Sequence, residues 1–215
     1  MIADLAARVR ASPPRCGATR LVCVDGPSGS GKTTLARALG AALDAPVLHL
    51  DDLYPGWDGL AATVPLLRDA VVAPLLAGRD AAYRRWDWQR CAPADTVAVG
   101  RPPVLVLDGV GSGARPVAAH AVLLVWVEAP REERFRRGIA RDGETYRPHW
   151  ERWAAQEATH FAAEGTRARA DVVVDGTAAR VGPAIAPSRS TGLRPDDRRR
   201  MRRTAHRRAP PHIGG

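Results

Sequence analysis

Short, almost continuous runs of apolar residues recur along most of the chain and alternate with stretches of helical spacing. The runs at 21–26, 47–52, 104–109, 121–129 and 170–176 are rich in Val and Leu, and each reaches an acidic residue near its end. Runs of this length without regular polar alternation are typical of strands that are buried on both faces of a parallel sheet. The pattern therefore predicts a five-stranded parallel sheet.

Apolar residues at helical spacing predict the helices between these strands. The spacing predicts helices over 2–11 and 32–43, and a longer helix over 60–77 that is bent at Pro65 and Pro74. Strands that alternate with helices imply right-handed crossover connections. The predicted fold class is thus α/β, with helices on both faces of the sheet.

Two further segments complete the pattern. The aromatic and basic stretch AYRRWDWQR, with TVAV after it, predicts a β-hairpin. After the fourth strand, PREERFRRGIARD begins with a proline and two acidic residues, which favour a helix start, and HWERWAAQEATHFAAEG continues as helix.

Positive charge is concentrated at the C-terminal end. The formal net charge is +9, but nine of the 32 basic and two of the 23 acidic residues lie in 181–215, which leaves +2 for residues 1–180. The body of the chain therefore gives little electrostatic reason to expect a nucleic-acid partner. The tail is rich in Arg, Pro and Gly, so we expect one folded domain over 1–180 and a disordered tail over 181–215, with an RNA- or membrane-contacting arm as the alternative.

No secretion signal, membrane span or metal cluster is predicted. The N-terminal segment MIADLAARVRASPP is charged where a signal peptide is apolar, and PVAAHAVLLVWVEAP is too short and too interrupted to span a bilayer. Cys16, Cys23 and Cys91 lack the spacing of a disulfide framework or a zinc site. We expect a cytoplasmic protein without a membrane partner.

The segment GPSGSGKT fits the pattern GxxxxGK[ST] at every fixed position, between a predicted strand and a predicted helix. Glycines here let backbone N–H groups wrap a phosphate chain, aided by the helix N-terminus. Lys32 is the one lysine among 32 basic residues, and its compact charge suits the β- and γ-phosphates better than an arginine fork does. Thr33 offers a hydroxyl to Mg²⁺. The predicted nucleotide contacts are Gly26, Ser28, Gly29, Ser30, Gly31, Lys32, Thr33 and Thr34.

The rest of the sequence favours a small-molecule kinase among nucleotide-binding proteins. GTPases usually carry an Asn-Lys-x-Asp motif, which this chain cannot have because Lys32 is its only lysine. Motor and helicase ATPases generally need a larger body and a partner subunit. A kinase that phosphorylates the hydroxyl of a small molecule is the more economical interpretation.

Acidic residues stand at strand ends, at the sheet edge where parallel α/β proteins bind ligands. Asp51 lies at the end of the second strand and can orient an acceptor hydroxyl and accept its proton. Asp108 ends VLVLD and is the natural Walker B carboxylate for a metal, with a turn role as the alternative. Asp25 precedes the glycine-rich loop, so we expect it to be structural.

The segments DGPSGSGKTTLA, LDDLYPGW, VLVLDGV and RFRRGIARD, in this order, resemble the uridine kinase and phosphoribulokinase-like branch of P-loop kinases over roughly 20–176. The resemblance implies the P-loop NTPase fold, with a helical lid at about 131–165. It also implies that Asp51 is the catalytic base and that Tyr54 lines the acceptor site. The family usually has Glu before Gly in its third-strand motif, whereas this chain has the shorter Asp108.

The family's lid helix carries spaced arginines and ends in Arg-Asp, a pattern that Arg134, Arg137, Arg141 and Asp142 match. Arginines there stabilise charge on the transferred phosphoryl group, and lid closure excludes water. Arg137 and Arg141 share a helix face and are the preferred candidates.

The acceptor end is implied by the same resemblance. Uridine kinases place a nucleoside-gripping hairpin where this chain has RRWDW, although Trp86 and Trp88 equally fit a packing role. The predicted acceptor contacts are Asp52, Tyr54, Arg84, Trp86 and Asp87.

The resulting prediction is ATP- and Mg²⁺-dependent transfer of the γ-phosphoryl group to a hydroxyl, with uridine or cytidine as the first choice of acceptor. Its catalytic residues are Lys32, Asp51, Arg137 and Arg141, and its metal ligands are Thr33 and Asp108. Pantothenate, a sugar, glycerate or a nucleoside monophosphate stays open as the acceptor, as does a nucleotide-binding regulatory or nucleic-acid-associated ATPase. Neither the oligomeric state nor a preference for ATP over GTP follows from the sequence.

Overall fold

A computed structural model describes residues 1–178, so the predictions for the tail at 181–215 lie outside the described residues. The helices are α1 (Ile2–Ala11), α2 (Lys32–Leu43), α3 (Leu60–Leu67), α4 (Ala73–Leu76), α5 (Arg115–Ala118), α6 (Arg131–Asp142), α7 (Trp150–Glu164) and α8 (Thr166–Arg169). The strands are β1 (Arg20–Asp25), β2 (Val47–His49), β3 (Ala81–Asp87), β4 (Ala92–Gly100), β5 (Val104–Asp108), β6 (Ala121–Glu128) and β7 (Val172–Asp175).

Five of the strands form one sheet in the order β2-β5-β1-β6-β7, and every neighbouring pair is parallel. Each strand corresponds to one of the apolar runs, so the predicted α/β fold with a five-stranded parallel sheet is confirmed. β5 lies between β2 and the central strand β1, and the register places both Val24 and His49 beside Asp108. The ends of these three strands therefore meet at one edge of the sheet.

Both faces of the sheet are covered, as the near-continuous apolar runs require. Val22 and Val24 of β1 face a core with α1 and α2, which contribute Leu5 and Leu39. Leu21 and Cys23 point the opposite way, into a second core with the residues after β2 and with α3. This two-sided burial fixes the sheet rigidly, so the loops at its edge start from defined positions.

Two predicted elements differ from the structure. The strand predicted over 47–52 ends at His49, and Leu50–Asp52 forms a 3₁₀ turn in which the Leu53 N–H donates to the Leu50 carbonyl. The chain turns here because Leu50 is buried in the second core. The helix predicted over 60–77 is α3 and α4 joined by a π-helical segment, Arg68–Val72.

The predicted hairpin is confirmed: β3 and β4 pair in antiparallel fashion as a separate two-stranded sheet. Among residues 1–178, no helix combines the length and the apolar character that a membrane span needs.

Candidate active site

The glycine-rich loop, residues 26–31, connects β1 to α2 at the centre of the sheet edge. Gly29 has φ +78°, and a Cβ added there would lie 2.3 Å from the carbonyl oxygen of Arg134 in α6. Gly26 has φ +139°, and its added Cβ would lie 2.0 Å from the Val127 carbonyl oxygen in β6. Only glycine combines these dihedral angles with such close backbone approach. The loop is therefore pressed against β6 and α6.

Lys32 is the first residue of α2 and is buried, with 8% of its side chain exposed. Its Nζ donates a hydrogen bond to the Pro27 carbonyl oxygen at 3.0 Å, so the ammonium group lies over the loop rather than in solvent. Backbone N–H groups at the start of a helix and a lysine over them form an anion-binding site. The geometry suits a phosphate chain.

Asp25 is the last residue of β1 and links the glycine-rich loop to the loop that follows β5. Its fully buried carboxylate accepts hydrogen bonds from the backbone N–H groups of Gly26, Gly111 and Gly113, at 2.7 to 3.2 Å. Burial raises the pKa of Asp25 to about 6, against these donors, which favour the ionised form. Asp25 thus connects the glycine-rich loop, which we call the phosphate loop below, to the loop after β5. This is the structural role expected for Asp25.

Asp25→Ala is expected to lower the free energy of unfolding by about 3 kcal/mol or more, because it leaves three buried N–H donors without an acceptor. Urea unfolding followed by circular dichroism measures this loss. Asp69→Ala, at an exposed residue that pairs with its neighbour Arg68, is the matched control and should change stability by about 0.5 kcal/mol or less. Equal stability of Asp25→Ala and the parent would contradict this role.

Asp108 lies at the end of β5, 3% exposed, beside the phosphate loop. Its Oδ2 contacts His49 Nδ1 at 2.7 Å, and this hydrogen bond raises the pKa of His49. Its Oδ1 is buried and has no hydrogen-bond partner among the described residues. An unpaired carboxylate oxygen in such a place is costly unless it binds a cation or a donor.

This arrangement fits Mg²⁺. Residues 1–178 contain no cluster of three or more His, Cys, Asp or Glu side chains that could hold a metal by themselves. Mg²⁺ in phosphoryl-transfer sites is held by one or two protein oxygens together with substrate phosphates and water. Asp108 Oδ1 and the Thr33 hydroxyl, at the start of α2, are the residues that would supply those oxygens.

Asp51 lies in the 3₁₀ turn at the end of β2. Its side chain reaches solvent, yet the surrounding protein removes part of the hydration of the carboxyl group and raises its pKa, while the charge of Arg141 opposes the shift. Lys32, His49 and Asp108 also act on this carboxyl group electrostatically. The sheet edge therefore brings together the acidic residues predicted from two strands and the lysine of the loop.

The β3–β4 hairpin docks on this turn through two hydrogen bonds. Trp88 Nε1 donates to the Asp51 carbonyl oxygen at 2.8 Å, and the Tyr83 hydroxyl donates to Asp52 Oδ2 at 3.1 Å. Tyr54 differs from its predicted place at the acceptor surface. It is 2% exposed, and its hydroxyl donates to the Val110 carbonyl oxygen, so it packs beneath the turn.

The other predicted acceptor residues lie on the hairpin. Arg84 is exposed and lines a cavity of about 220 Å³ between the hairpin and α3. Trp86 is partly buried, and its Nε1 has no hydrogen-bond partner among the described residues. Asp87 Oδ1 accepts the backbone N–H groups of Gln89 and Arg90 and so stabilises the hairpin turn.

The arginines predicted for the lid occupy three different environments on α6. Arg137 donates to the Gly176 carbonyl oxygen at 3.2 Å and to Glu133, next to the phosphate loop. Arg141 pairs with Asp142 and acts on the Asp51 carboxyl group. Arg134 is the most buried of the three and donates to the carbonyl oxygen of Ser28.

Sequence reasoning missed several residues of this region. Trp57 stacks on His149, with ring centroids 4.4 Å apart, and also contacts Trp88, so an aromatic cluster links the turn, the hairpin and the start of α7. Glu157 of α7 accepts the N–H of Ser28. Neither a tryptophan in a turn nor a glutamate in a helix carries a sequence signal for such a contact, because the contact joins residues far apart in the chain.

Comparison with known proteins agrees with this geometry at the level of the fold. No protein-family model matches the chain. A solved structure from Bacillus stearothermophilus, provisionally assigned as a uridine kinase, aligns with a TM-score of 0.58 and 23% identity over 81% of this chain and 97% of its own. A second, from Silicibacter sp. TM1040 and provisionally assigned as a fructose transport system kinase, aligns with a TM-score of 0.54 and 23% identity over 81% and 98%.

A tRNA dimethylallyltransferase from Anaeromyxobacter dehalogenans (strain 2CP-C) is 38% identical over 139 residues. The alignment covers 58% of this chain and 44% of that protein, so the chain spans less than half of this curated relative. The structural matches confirm the fold that the resemblance to uridine kinases implied. The chain has a P-loop kinase-like fold.

Proposed function

We propose that the protein is an ATP-dependent phosphotransferase that moves the γ-phosphoryl group to a hydroxyl of a small molecule. The proposal rests mainly on one observation: Lys32, Asp51 and Asp108 lie close together at one edge of the sheet. Arg141 of α6 also acts on the Asp51 carboxyl group. A nucleoside such as uridine or cytidine is the first choice of acceptor. We expect the reaction to take place in the cytoplasm, without a membrane partner.

The phosphate loop and Lys32 position the phosphates of ATP. Backbone N–H groups of the loop bind the phosphate oxygens, and the Lys32 ammonium balances charge on the β- and γ-phosphates. Arg137 and Arg141, which share one face of α6, stabilise the charge that spreads over the transferred group. Folding of the lid over the site keeps water from accepting the phosphoryl group.

Asp51 acts as the general base. In its ionised form the carboxylate hydrogen-bonds the acceptor hydroxyl and takes its proton as the oxygen attacks phosphorus. Its raised pKa brings its basicity closer to neutral pH than that of an ordinary aspartate. Asp108 and Thr33 would hold Mg²⁺, which when bound would neutralise charge on the phosphates.

The acceptor binds beside the turn that carries Asp51 and the hairpin docked on it. Asp52, Arg84, Trp86 and Asp87 are the candidates for contact with it, and the aromatic faces of the hairpin suit a planar group. Tyr54 supports this site from below through its contacts with Trp153 and Val110.

ADP release from ATP and Mg²⁺, measured with a panel of nucleosides, nucleoside monophosphates, pantothenate, glycerate and sugars, tests the proposal. We expect one acceptor class to stimulate ADP release well above the rate with water alone. Retained ATP binding with no stimulation by any acceptor would favour the nucleotide-binding regulatory protein instead.

A second candidate function rests on the match to a tRNA dimethylallyltransferase. In that case the phosphate loop would hold the diphosphate of a dimethylallyl donor, and the acceptor would be tRNA. Incubation with dimethylallyl diphosphate and tRNA, followed by release of diphosphate, distinguishes the two. Release of diphosphate that depends on tRNA, with no acceptor-stimulated release of ADP in the first assay, would overturn the kinase proposal.

A further inference from the structure

Ser28, the third residue of the glycine-rich loop, is held by three residues of the segment 131–165. Glu157 Oε1 accepts the Ser28 N–H at 2.7 Å, and Arg134 Nη1 donates to the Ser28 carbonyl oxygen at 3.4 Å. Burial raises the pKa of Tyr146, and the Ser28 side chain lowers it, so Tyr146 also lies beside Ser28. One loop residue thus contacts α6, α7 and the turn between them.

Glu157 is the centre of this contact and is 3% exposed. The oxygen that accepts the Ser28 N–H also accepts Trp153 Nε1 at 2.9 Å, and the other carboxylate oxygen lies 3.7 Å from Arg134 Nη1. A buried carboxylate is costly unless donors and a cation surround it, as they do here. All of its partners belong either to the phosphate loop or to the two lid helices.

The loop packs closely against α6. Gly29 follows Ser28, and its close approach to the Arg134 backbone leaves no space even for a methyl group. The Ser28 N–H also points to Glu157, so phosphate binding is left to the N–H groups later in the loop. A displacement of α6 or α7 would therefore break these contacts with the peptide that begins the phosphate-binding turn.

We propose that Glu157 is a positioning residue that couples the lid to the phosphate loop through Ser28. The inference rests on the proposed function, because it assumes that the loop binds a nucleotide. Binding that orders the loop stabilises the lid, and by linkage the ordered lid raises nucleotide affinity by the same factor. Glu157 acts through Ser28 and does not touch the reacting atoms.

The test uses the full chain and compares Glu157→Ala, Glu157→Gln and Glu151→Gln with the parent. Calorimetry gives the Kd for ATP with Mg²⁺, and hydrogen exchange gives the nucleotide-dependent protection of residues 142–157. Glu151 is the matched control, since it lies on the same helix and pairs with Arg131 at the surface.

The expected Kd of Glu157→Ala is about tenfold higher than that of the parent, and ATP no longer protects the lid. Glu157→Gln keeps an acceptor oxygen but loses the charge that pairs with Arg134, so its Kd should rise about threefold. Glu151→Gln should match the parent in both measurements. If Glu157→Ala does not fold, the Kd and the lid protection of Glu157→Gln test the proposal.

A parent-like Kd and parent-like lid protection in Glu157→Gln would overturn the coupling and leave the proposed function standing. A lower Kd would also overturn it, since it would mean that Glu157 competes with phosphate for the loop. A merely structural role would lower the melting temperature without changing nucleotide-dependent protection. Failure of the parent itself to bind ATP would overturn the proposed function and this inference together.

Discussion

Lys32→Ala is expected to lower kcat for phosphoryl transfer by about 10²- to 10³-fold, the size of effect seen when one preorganised charge stabiliser is removed. Lys32 is buried at the start of α2, and its ammonium group lies over the loop. No other lysine exists in the chain to replace it. Steady-state ADP release with the stimulating acceptor measures the loss.

Lys32→Arg sharpens this prediction because it keeps the positive charge. The planar guanidinium is bulkier than an ammonium group, and Nζ already lies 3.0 Å from the Pro27 carbonyl oxygen inside the closed loop. We therefore expect a loss close to that of Lys32→Ala. Arg136→Lys, at an exposed position on α6, is the control and should behave like the parent. Parent-like activity of Lys32→Arg would contradict the role given to the lysine.

Asp51→Asn is expected to lower kcat by about 10²- to 10⁴-fold, because the amide cannot accept the proton of the acceptor hydroxyl. ATP binding should be nearly unchanged, since the phosphate loop is intact. Asp80→Asn, which removes an exposed carboxylate paired with Arg101 on the surface, is the matched control. An Asp51→Asn variant with parental kcat would exclude Asp51 as the base.

The pH dependence of kcat/KM is a second test of Asp51 as the general base. The base works in its ionised form, so the rate should fall as the pH decreases through its pKa in the free enzyme. Because burial raises that pKa, the acidic limb should lie at a higher pH than for an ordinary aspartate. Asp51→Asn should remove this limb from the residual activity, and a limb that persists would assign it to another group.

The sheet and the phosphate loop could be predicted from sequence because both depend on local patterns. The five apolar runs identify strands that are buried on both faces, and the loop has fixed residues at fixed spacing between a strand and a helix. The position of Asp51 and Asp108 followed from the same logic, since parallel strands end at one edge. The shortened β2 could not be predicted, because Leu50 leaves the strand to fill a core built by distant residues.

The contacts that link the site to α6 and α7 could not be predicted from the sequence. Ser28 and Glu157 are 129 positions apart, and only the docking of α7 brings them together. His49 could not be paired with Asp108 before the strand order was known, because β2 and β5 are neighbours in the sheet but not in the chain. Tyr54 lies in the core for a similar reason, since Trp153 of α7 covers the place where a surface was expected.

The most direct test of the central claim uses ATP labelled with ¹⁸O in the three non-bridging oxygens of the γ-phosphate. After incubation with Mg²⁺ and the acceptor that stimulates ADP release, mass spectrometry measures the label in the acceptor. Direct transfer to the acceptor, with Asp51 as the general base, predicts a phosphorylated acceptor that carries all three labelled oxygens. It also predicts loss of this product in Asp51→Asn. Label found in inorganic phosphate alone, with the acceptor unmodified, would contradict the kinase assignment.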